Sequence, residues 1–217
     1  SSPCANTNAQ SVLDNPVLEL PDGGRQLLAA TGSASPLFMT QQRWRVDCTA
    51  AGYSVYSPDG VRYDMTQMVN VGTGVTPIYA WYTTKITDRN GNVANISYAS
   101  AASPELKQLT TNDSRLITFT YLNPGTLNRR ISTIEAAGKT YTYGYDPIPN
   151  TTGRYYLSYV TRPDGNSWQY AYNGSTDANP GGYMINTVTY PQGGTISYQY
   201  NFIDRYDDQG LPRSQLT

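Results

Sequence analysis

Acidic and amide side chains are the first candidates for chemistry in this 217-residue chain, because it contains no histidine. Catalytic triads that use histidine as a base, and metal sites that include it, are therefore excluded. Asp88, Asn90 and Asn92 occupy alternate positions, as at the start of a calcium-binding loop. Such a loop needs glycine where Val93 stands and a bidentate acid where Ala99 stands. The sequence therefore favours a hairpin turn here over a calcium site.

Paired carboxylates are the other chemistry that this composition permits. Two acids held roughly 5–10 Å apart across a cleft can hydrolyse a glycosidic bond. The candidates are Asp204, Asp207 and Asp208 near the C-terminus, together with Glu135. This setting is typical of a solvated tail or loop, so we expect no enzyme, no catalytic residue, no metal and no cofactor.

Charge and hydropathy exclude two further classes of protein. The 15 basic and 16 acidic residues nearly balance, and they form no basic patch that would indicate nucleic-acid binding. No apolar run approaches the roughly 18 residues that a membrane-spanning helix needs. The 20 tyrosines, against 3 phenylalanines, instead indicate sheet surfaces that are half exposed to water.

The chain has two cysteines, Cys4 and Cys48. A pair of cysteines in a loop-rich chain suits an oxidising compartment. We therefore predict a disulfide between them.

Tight hairpins are the elements that the sequence predicts most clearly. The segment RPDGNSWQYAYN, at 162–173, joins a Pro-Asp-Gly turn to a strand in which Trp168, Tyr170 and Tyr172 alternate with other residues. Pro presets φ at the first corner of the turn, and Gly accepts a positive φ. The alternation places the three aromatic side chains on one face of the strand. A similar segment, YPQGGTISYQYN, follows at 190–201.

The hairpin unit recurs along the chain, with its last aromatic residue repeated at intervals of 23 to 28 residues. A lone two-stranded hairpin is marginal in water, so we expect the units to pair edge to edge in one long sheet. The predicted fold is all-β, built from consecutive antiparallel hairpins. The residues assigned to the repeat, in structural roles, are Asp88, Gly91, Tyr98, Gly138, Tyr143, Tyr145, Asp164, Gly165, Tyr170, Tyr172, Gly194, Tyr198 and Tyr200.

Two local features of the repeat allow more than one structure. Apolar pairs spaced three residues apart, at Leu157/Val160 and Ile185/Val188, break the alternation of a strand. This spacing indicates either a bulge or one apolar residue on each face. Residues 103–109 begin with a capping Ser and a Pro, which predicts one short turn of helix.

At these residues the chain resembles the YD-repeat, or Rhs, family of bacterial surface and toxin-delivery proteins. The forms D-x-x-G-N…Y at 88–98, P-D-G…Y-x-Y-N at 163–173 and YPQGG…Y-x-Y at 190–200 are similar to the repeat of that family. The segments LPDGG at 20–24 and SPDGVRYDM at 57–65 are similar to the region that precedes the repeats in long Rhs chains. The resemblance spans roughly residues 17–201.

The resemblance implies an architecture and a role. Repeat hairpins of this family form a strip of sheet that curves and spirals into a hollow shell. In Rhs and insecticidal Tc-type toxins the shell encloses a C-terminal toxic polypeptide, and in teneurins it serves adhesion. This chain would then be a non-enzymatic part of an exported shell that delivers a toxin or acts at the cell surface in contact-dependent competition.

The resemblance also implies partners and a location. The expected partners are further repeats and a C-terminal cargo of the same polypeptide, with self-association through open sheet edges. The expected location is secreted, at the bacterial cell surface or in the periplasm. The Asp-Pro pair at 146–147 is followed by Ile-Pro and lacks the DPxG motif at which family members cleave themselves, so it receives no catalytic role.

We predict three regions along the chain. Residues 1–80 form a β-rich lead-in module with the disulfide, residues 81–202 form the hairpin repeats, and residues 203–217 form a tail or the start of the next repeat.

The alternative function is a carbohydrate-binding or adhesion module rich in Tyr and Trp. Trp81, Trp168, Tyr170 and Tyr172 would then stack on sugar rings. In the scaffold interpretation the same rings form cross-strand ladders that hold the sheet together.

Overall fold

The computed structural model describes residues 16–72, 75, 77–149, 151–173 and 184–200, and the backbone of two strands at 202–206 and 212–216. All regular secondary structure in these residues is β, and it comprises nineteen strands. The strands are β1 Val17–Glu19, β2 Arg25–Leu27, β3 Ala29–Ala30, β4 Phe38–Met39, β5 Arg45–Thr49, β6 Gly52–Tyr56, β7 Arg62–Asn70, β8 Tyr79–Thr87, β9 Val93–Tyr98, β10 Leu106–Thr111, β11 Leu116–Leu122, β12 Arg130–Ala136, β13 Lys139–Pro147, β14 Tyr155–Thr161, β15 Ser167–Asn173, β16 Met184–Thr189, β17 Thr195–Ser197, β18 Phe202–Tyr206 and β19 Pro212–Leu216.

Strands β3 to β17 form one antiparallel sheet of fifteen strands, in which neighbours in the sheet are also neighbours in the sequence. Two further two-stranded sheets pair β1 with β2 and β18 with β19. The all-β fold of consecutive antiparallel hairpins is therefore confirmed. The curvature of the sheet and its part in a hollow shell stay predictions.

The chain divides into two compact units, residues 1–119 and 120–217. We call them unit 1 and unit 2 and describe each by itself. The predicted boundary after residue 80 falls within β8. The assignment of the three predicted regions stays a prediction.

The core of unit 1 lies between the β1–β2 hairpin and one face of the sheet. Phe38, Val46, Val55 and Tyr63 lie directly opposite one another on β4 to β7, so their side chains form a row across one face. Leu18 of β1 packs against this row, and it is buried together with the first three of these side chains. Two packed layers thus remove most of this row from water.

Unit 2 has no comparable core among its described residues. None of its described hydrophobic side chains is fully buried, and those on β14 and β16 are half-buried at most. Their partner strands β13 and β15 alternate aromatic residues with polar or small ones, which is typical of a sheet with one face meant for burial. The apolar face of unit 2 is therefore only partly covered by the described residues.

The helical turn predicted at 103–109 is wrong, because β10 begins at Leu106. The Ser103 hydroxyl does accept a hydrogen bond from the Glu105 N–H at 3.0 Å, as a capping residue would. The chain then continues as a strand, since Leu106 and Leu109 pair with Tyr98 and Ile96 of β9. Pairing across the sheet outweighs the local capping preference, which also operates in turns.

No helix within the described part of the chain has the length and apolar character needed to cross a membrane.

Candidate functional site

Seven hairpin turns in the described residues share one five-residue backbone structure. At 88–92 the N–H of Asp88 donates to the carbonyl of Asn92 at 3.0 Å, and the N–H of Gly91 donates to the carbonyl of Asp88 at 3.1 Å. The fourth residue has a positive φ, which is +84° at Gly91. This is a type I turn followed by a left-handed residue, a common hairpin connection. The seven turns lie at 20–24, 40–44, 57–61, 88–92, 111–115, 162–166 and 190–194.

Carboxylates in these turns cap the backbone. Oδ1 of Asp88 accepts hydrogen bonds from the N–H groups of Asn90 and Asn92, each at 2.8 Å, and Oδ2 accepts one from the Asn92 side chain at 2.7 Å. The bond from the Asn92 side chain is the main reason why the pKa of Asp88 lies below its ordinary value. Asp164 likewise accepts a bond from the N–H of Asn166 at 3.1 Å. In both turns the carboxylate stabilises the loop.

The glycines of the repeat lie where the backbone needs them, with one difference. Gly165 has a φ of +82°, and Gly138 has a φ of +70° in the two-residue turn between β12 and β13. In the 190–194 turn the positive φ belongs to Gly193, at +89°, and not to Gly194. Gly194 is the fifth residue of that turn, and its carbonyl closes the loop.

A β-bulge recurs at the same place in four strand pairs, always on the strand that precedes a tight turn. In β14 the extra residue is Ser158, because Tyr159 lies opposite Gly144 and Leu157 lies opposite Tyr145. The corresponding residues of the other pairs are Thr84 in β8, Lys107 in β10 and Asn186 in β16. A bulge bends its strand and increases the local twist. These four hairpins therefore share one bend at a fixed register.

The bulge explains the apolar pairs spaced three residues apart. Val160 lies opposite Tyr143 and Leu157 lies opposite Tyr145. These two tyrosines are two residues apart on the regular strand β13, so all four side chains share one face. The same holds for Val188 and Ile185, which lie opposite Tyr170 and Tyr172. Of the two structures that the sequence allowed, the bulge is the one that forms.

Three of the four aromatic side chains proposed to stack on sugars pack on other rings. Trp81 meets Tyr53 edge-on, with 5.4 Å between ring centroids, in unit 1. In unit 2 the centroids of Trp168 and Tyr190 are 4.6 Å apart. The rings of Tyr172 and Tyr156 are also 4.6 Å apart, and Tyr170 lies opposite Val188. These contacts fit cross-strand ladders, and carbohydrate stacking by these rings stays a hypothesis.

The tyrosines at the ends of the other hairpin repeats take similar structural positions. The Tyr98 hydroxyl donates to the Thr83 carbonyl at 2.6 Å, and burial raises the pKa of Tyr98 to about 12. The guanidinium of Arg130 lies 5.4 Å from the ring centroid of Tyr145. Tyr198 and Tyr200 follow the last strand of the large sheet and stack with centroids 6.5 Å apart.

The residues considered for catalysis do not come together in the described part of the chain. Glu135 is exposed on β12, opposite Thr140. Asp204 lies on β18, where only the backbone is described, and Asp207 and Asp208 lie outside the described residues. In that described part, no group of three Asp, Glu, Cys or His side chains is placed to hold a metal.

The predicted disulfide also reaches beyond the described residues. Cys48 lies half-buried on β5, opposite Tyr53, and Cys4 lies outside the described range. The Cys4–Cys48 bond therefore stays a prediction.

The polar face of unit 2 has a feature that the sequence did not indicate. Thr133, Thr142, Thr161 and Ser167 lie opposite one another on β12 to β15 and form a row of hydroxyl groups. Beside this row, the ring of Tyr159 covers a glycine on the neighbouring strand. Only the register between strands brings these residues together, so their spacing in the sequence contains no signal of it.

No model of a known protein family and no curated protein matches this chain.

Proposed function

We propose that this chain is part of the wall of a YD-repeat shell, exported from the cell, that encloses a polypeptide continuing from its own C-terminus. The observation on which the proposal depends is the repetition of one structural unit. Four hairpins combine a bulged strand, a tight turn and a following strand, and all four add to the same sheet. Repetition of this kind lengthens a wall by a constant increment. A catalytic site would instead need residues that differ from one hairpin repeat to the next.

The partly covered aromatic face of unit 2 supports the proposal. Its aromatic face, defined by Tyr143, Tyr145, Trp168, Tyr170 and Tyr172, is half-buried within the described residues. Domains are normally built from two packed layers, because each sheet must bury its apolar face. A polypeptide enclosed by the wall would supply the second layer.

The ends of the sheet support it as well. In the described part of the chain, β17 pairs with β16 alone and β3 pairs with β4 alone. An edge strand presents unpaired N–H and carbonyl groups that pair readily with another strand. Further repeats of the same polypeptide are the partners that would occupy these edges in the proposed shell, and a second copy of the chain could also pair with them.

Hydrogen exchange on the natural full-length polypeptide tests the proposal. The region that follows Thr217 is compared in two forms, attached to the repeats and expressed alone. We expect its amide groups and its protease sites to be protected only in the attached form, because the wall excludes water and protease from its interior.

The control is the same C-terminal region fused to an unrelated folded domain of similar mass. Protection in this fusion would show that attachment alone slows exchange. Equal exchange in the natural protein and in the isolated region would contradict enclosure. So would a natural polypeptide that has no region after the repeats.

A further inference from the structure

One position on the polar face of the sheet departs from the repeat. In each of the four bulged strand pairs, the residue after the bulge has a direct partner on the regular strand. Three of these pairs consist of polar or small residues, whereas the fourth combines an aromatic residue with a glycine. The pairs are Lys85/Asp64, Gln108/Ser97, Thr187/Ala171 and Tyr159/Gly144.

The ring of Tyr159 lies directly on the backbone of β13. A Cβ atom added to Gly144 would come within 2.0 Å of Cε1 and 2.1 Å of Cζ of Tyr159, so the ring occupies the space that a side chain would fill. The tyrosine nevertheless remains 41% exposed. A ring held in this way presents an apolar surface to water and loses little conformational freedom when a ligand covers it.

The neighbours of this ring on the same face are uncharged hydrogen-bonding groups. Gln169 lies directly opposite Tyr159. Thr161 is two residues further along the same strand, opposite Ser167, and the hydroxyls of this pair are 2.8 Å apart. Thr142 lies opposite Thr161 on the other side. Hydroxyl and amide groups both donate and accept hydrogen bonds, as the hydroxyls of a sugar require.

We propose that this patch, which consists of Tyr159, Gln169 and the hydroxyls of Thr142, Thr161 and Ser167, binds a neutral polysaccharide. The apolar C–H face of one sugar ring stacks on Tyr159, and the hydroxyls of the sugar chain bond to the polar side chains. Adjacent strands are about 4.8 Å apart, so an extended polysaccharide that crosses the strands meets one hydroxyl on each of them.

Charge selects a neutral polymer over an acidic one. Asp146 lies two residues after Gly144 on the regular strand β13, and it is exposed on the same face. Its carboxylate repels uronic and sialic acids but accepts hydrogen bonds from neutral sugars. The proposal concerns the polar face and does not depend on the enclosure proposed for the aromatic face.

Affinity electrophoresis tests the proposal. The 217-residue chain is run through gels that contain dextran, mannan or hydroxyethyl cellulose, and a glycan array serves as a second readout. We expect at least one neutral polysaccharide to retard the protein. Tyr159→Phe keeps the ring and should bind as the wild type does. Tyr159→Leu should weaken binding roughly tenfold, the size of one aromatic contact. Gly144→Ala forces the ring off the backbone and should weaken binding as well.

The matched control is Tyr198→Leu, because Tyr198 is also 41% exposed but stacks on Tyr200 outside the patch. We expect this variant to bind as the wild type does, and the circular dichroism of every variant to match that of the wild type. Absence of binding to all three polysaccharides and to the array would overturn the proposal. So would wild-type affinity in a folded Tyr159→Leu variant, or equal losses in Tyr159→Leu and Tyr198→Leu.

Discussion

Replacing Gly52 with alanine tests how closely β6 and β7 pack in unit 1. Gly52 is buried at the start of β6 with a φ of +153°. A Cβ at this position would lie 2.1 Å from the carbonyl oxygen of Met65 and 2.9 Å from a ring carbon of Trp81. The first of these is a backbone atom, held in place because Met65 pairs with Tyr53. An alanine therefore fits only if the two strands separate.

The magnitude of the effect follows from two terms. Alanine in a left-handed backbone conformation costs about 1 kcal/mol. Overpacking at Gly52 adds about 1–3 kcal/mol, because a backbone atom cannot move aside as a flexible side chain can. Gly91→Ala isolates the first term, since Gly91 has a φ of +84° and no atom within 4 Å of the added Cβ. We expect Gly52→Ala to lower the free energy of unfolding by about 3 kcal/mol and Gly91→Ala by about 1 kcal/mol.

Urea denaturation of the two variants, followed by ellipticity and by tryptophan fluorescence, measures this difference. The ring of Trp81 lies next to the added methyl group in Gly52→Ala, so its emission in the native state should change in this variant alone. Equal unfolding free energies for Gly52→Ala and Gly91→Ala would refute the close approach of the strands.

Inserting one alanine between Gly144 and Tyr145 gives Ser158 a partner on β13 and removes the bulge, so that Leu157 and Val160, three residues apart, fall on opposite faces of β14. Exposing one of these side chains should lower the free energy of unfolding by about 2 kcal/mol, whereas Ser158→Ala should lower it by less than about 0.5 kcal/mol. Urea denaturation measures the free energy of unfolding of both variants. Similar losses in the two variants would argue against a structural role for the bulge. A hydrogen bond from Arg115 is the main reason why the pKa of Asp113 is about 2 rather than 3.8. Because the folded state favours the carboxylate, its stabilising contribution is present above about pH 4 and is lost as the pH falls towards 2. The melting temperature of Asp113→Asn should therefore decrease less steeply than that of the wild type between pH 4 and pH 2, and parallel curves would contradict this account.

The sequence was sufficient to predict the hairpins, because their turns are specified locally. The Pro-Asp-Gly segment at 162–166 contains a residue suited to each corner of its turn, and the structure forms the turn there. The alternating strand that follows, with Trp168, Tyr170 and Tyr172, is likewise a strand in the structure. Repetition of this local pattern was enough to predict one continuous antiparallel sheet.

Pairing between strands determined the features that the sequence left open or missed. Leu157 and Val160 allowed two local structures, and only the register with β13 decides for the bulge. Ser103 caps a turn rather than a helix, because Leu106 and Leu109 pair with strand β9. Tyr159 is one of many tyrosines in the sequence, and its position over Gly144 depends on a partner fifteen residues away.

Sequential pairing has a consequence for how this protein folds and tolerates change. Within each unit, the two neighbours of an inner strand of the large sheet are the strands immediately before and after it in the sequence. Contacts of such short range close quickly, and folding can begin at any hairpin and spread in both directions. Deleting one whole hairpin would therefore shorten the sheet by two strands while leaving the remaining strands in register.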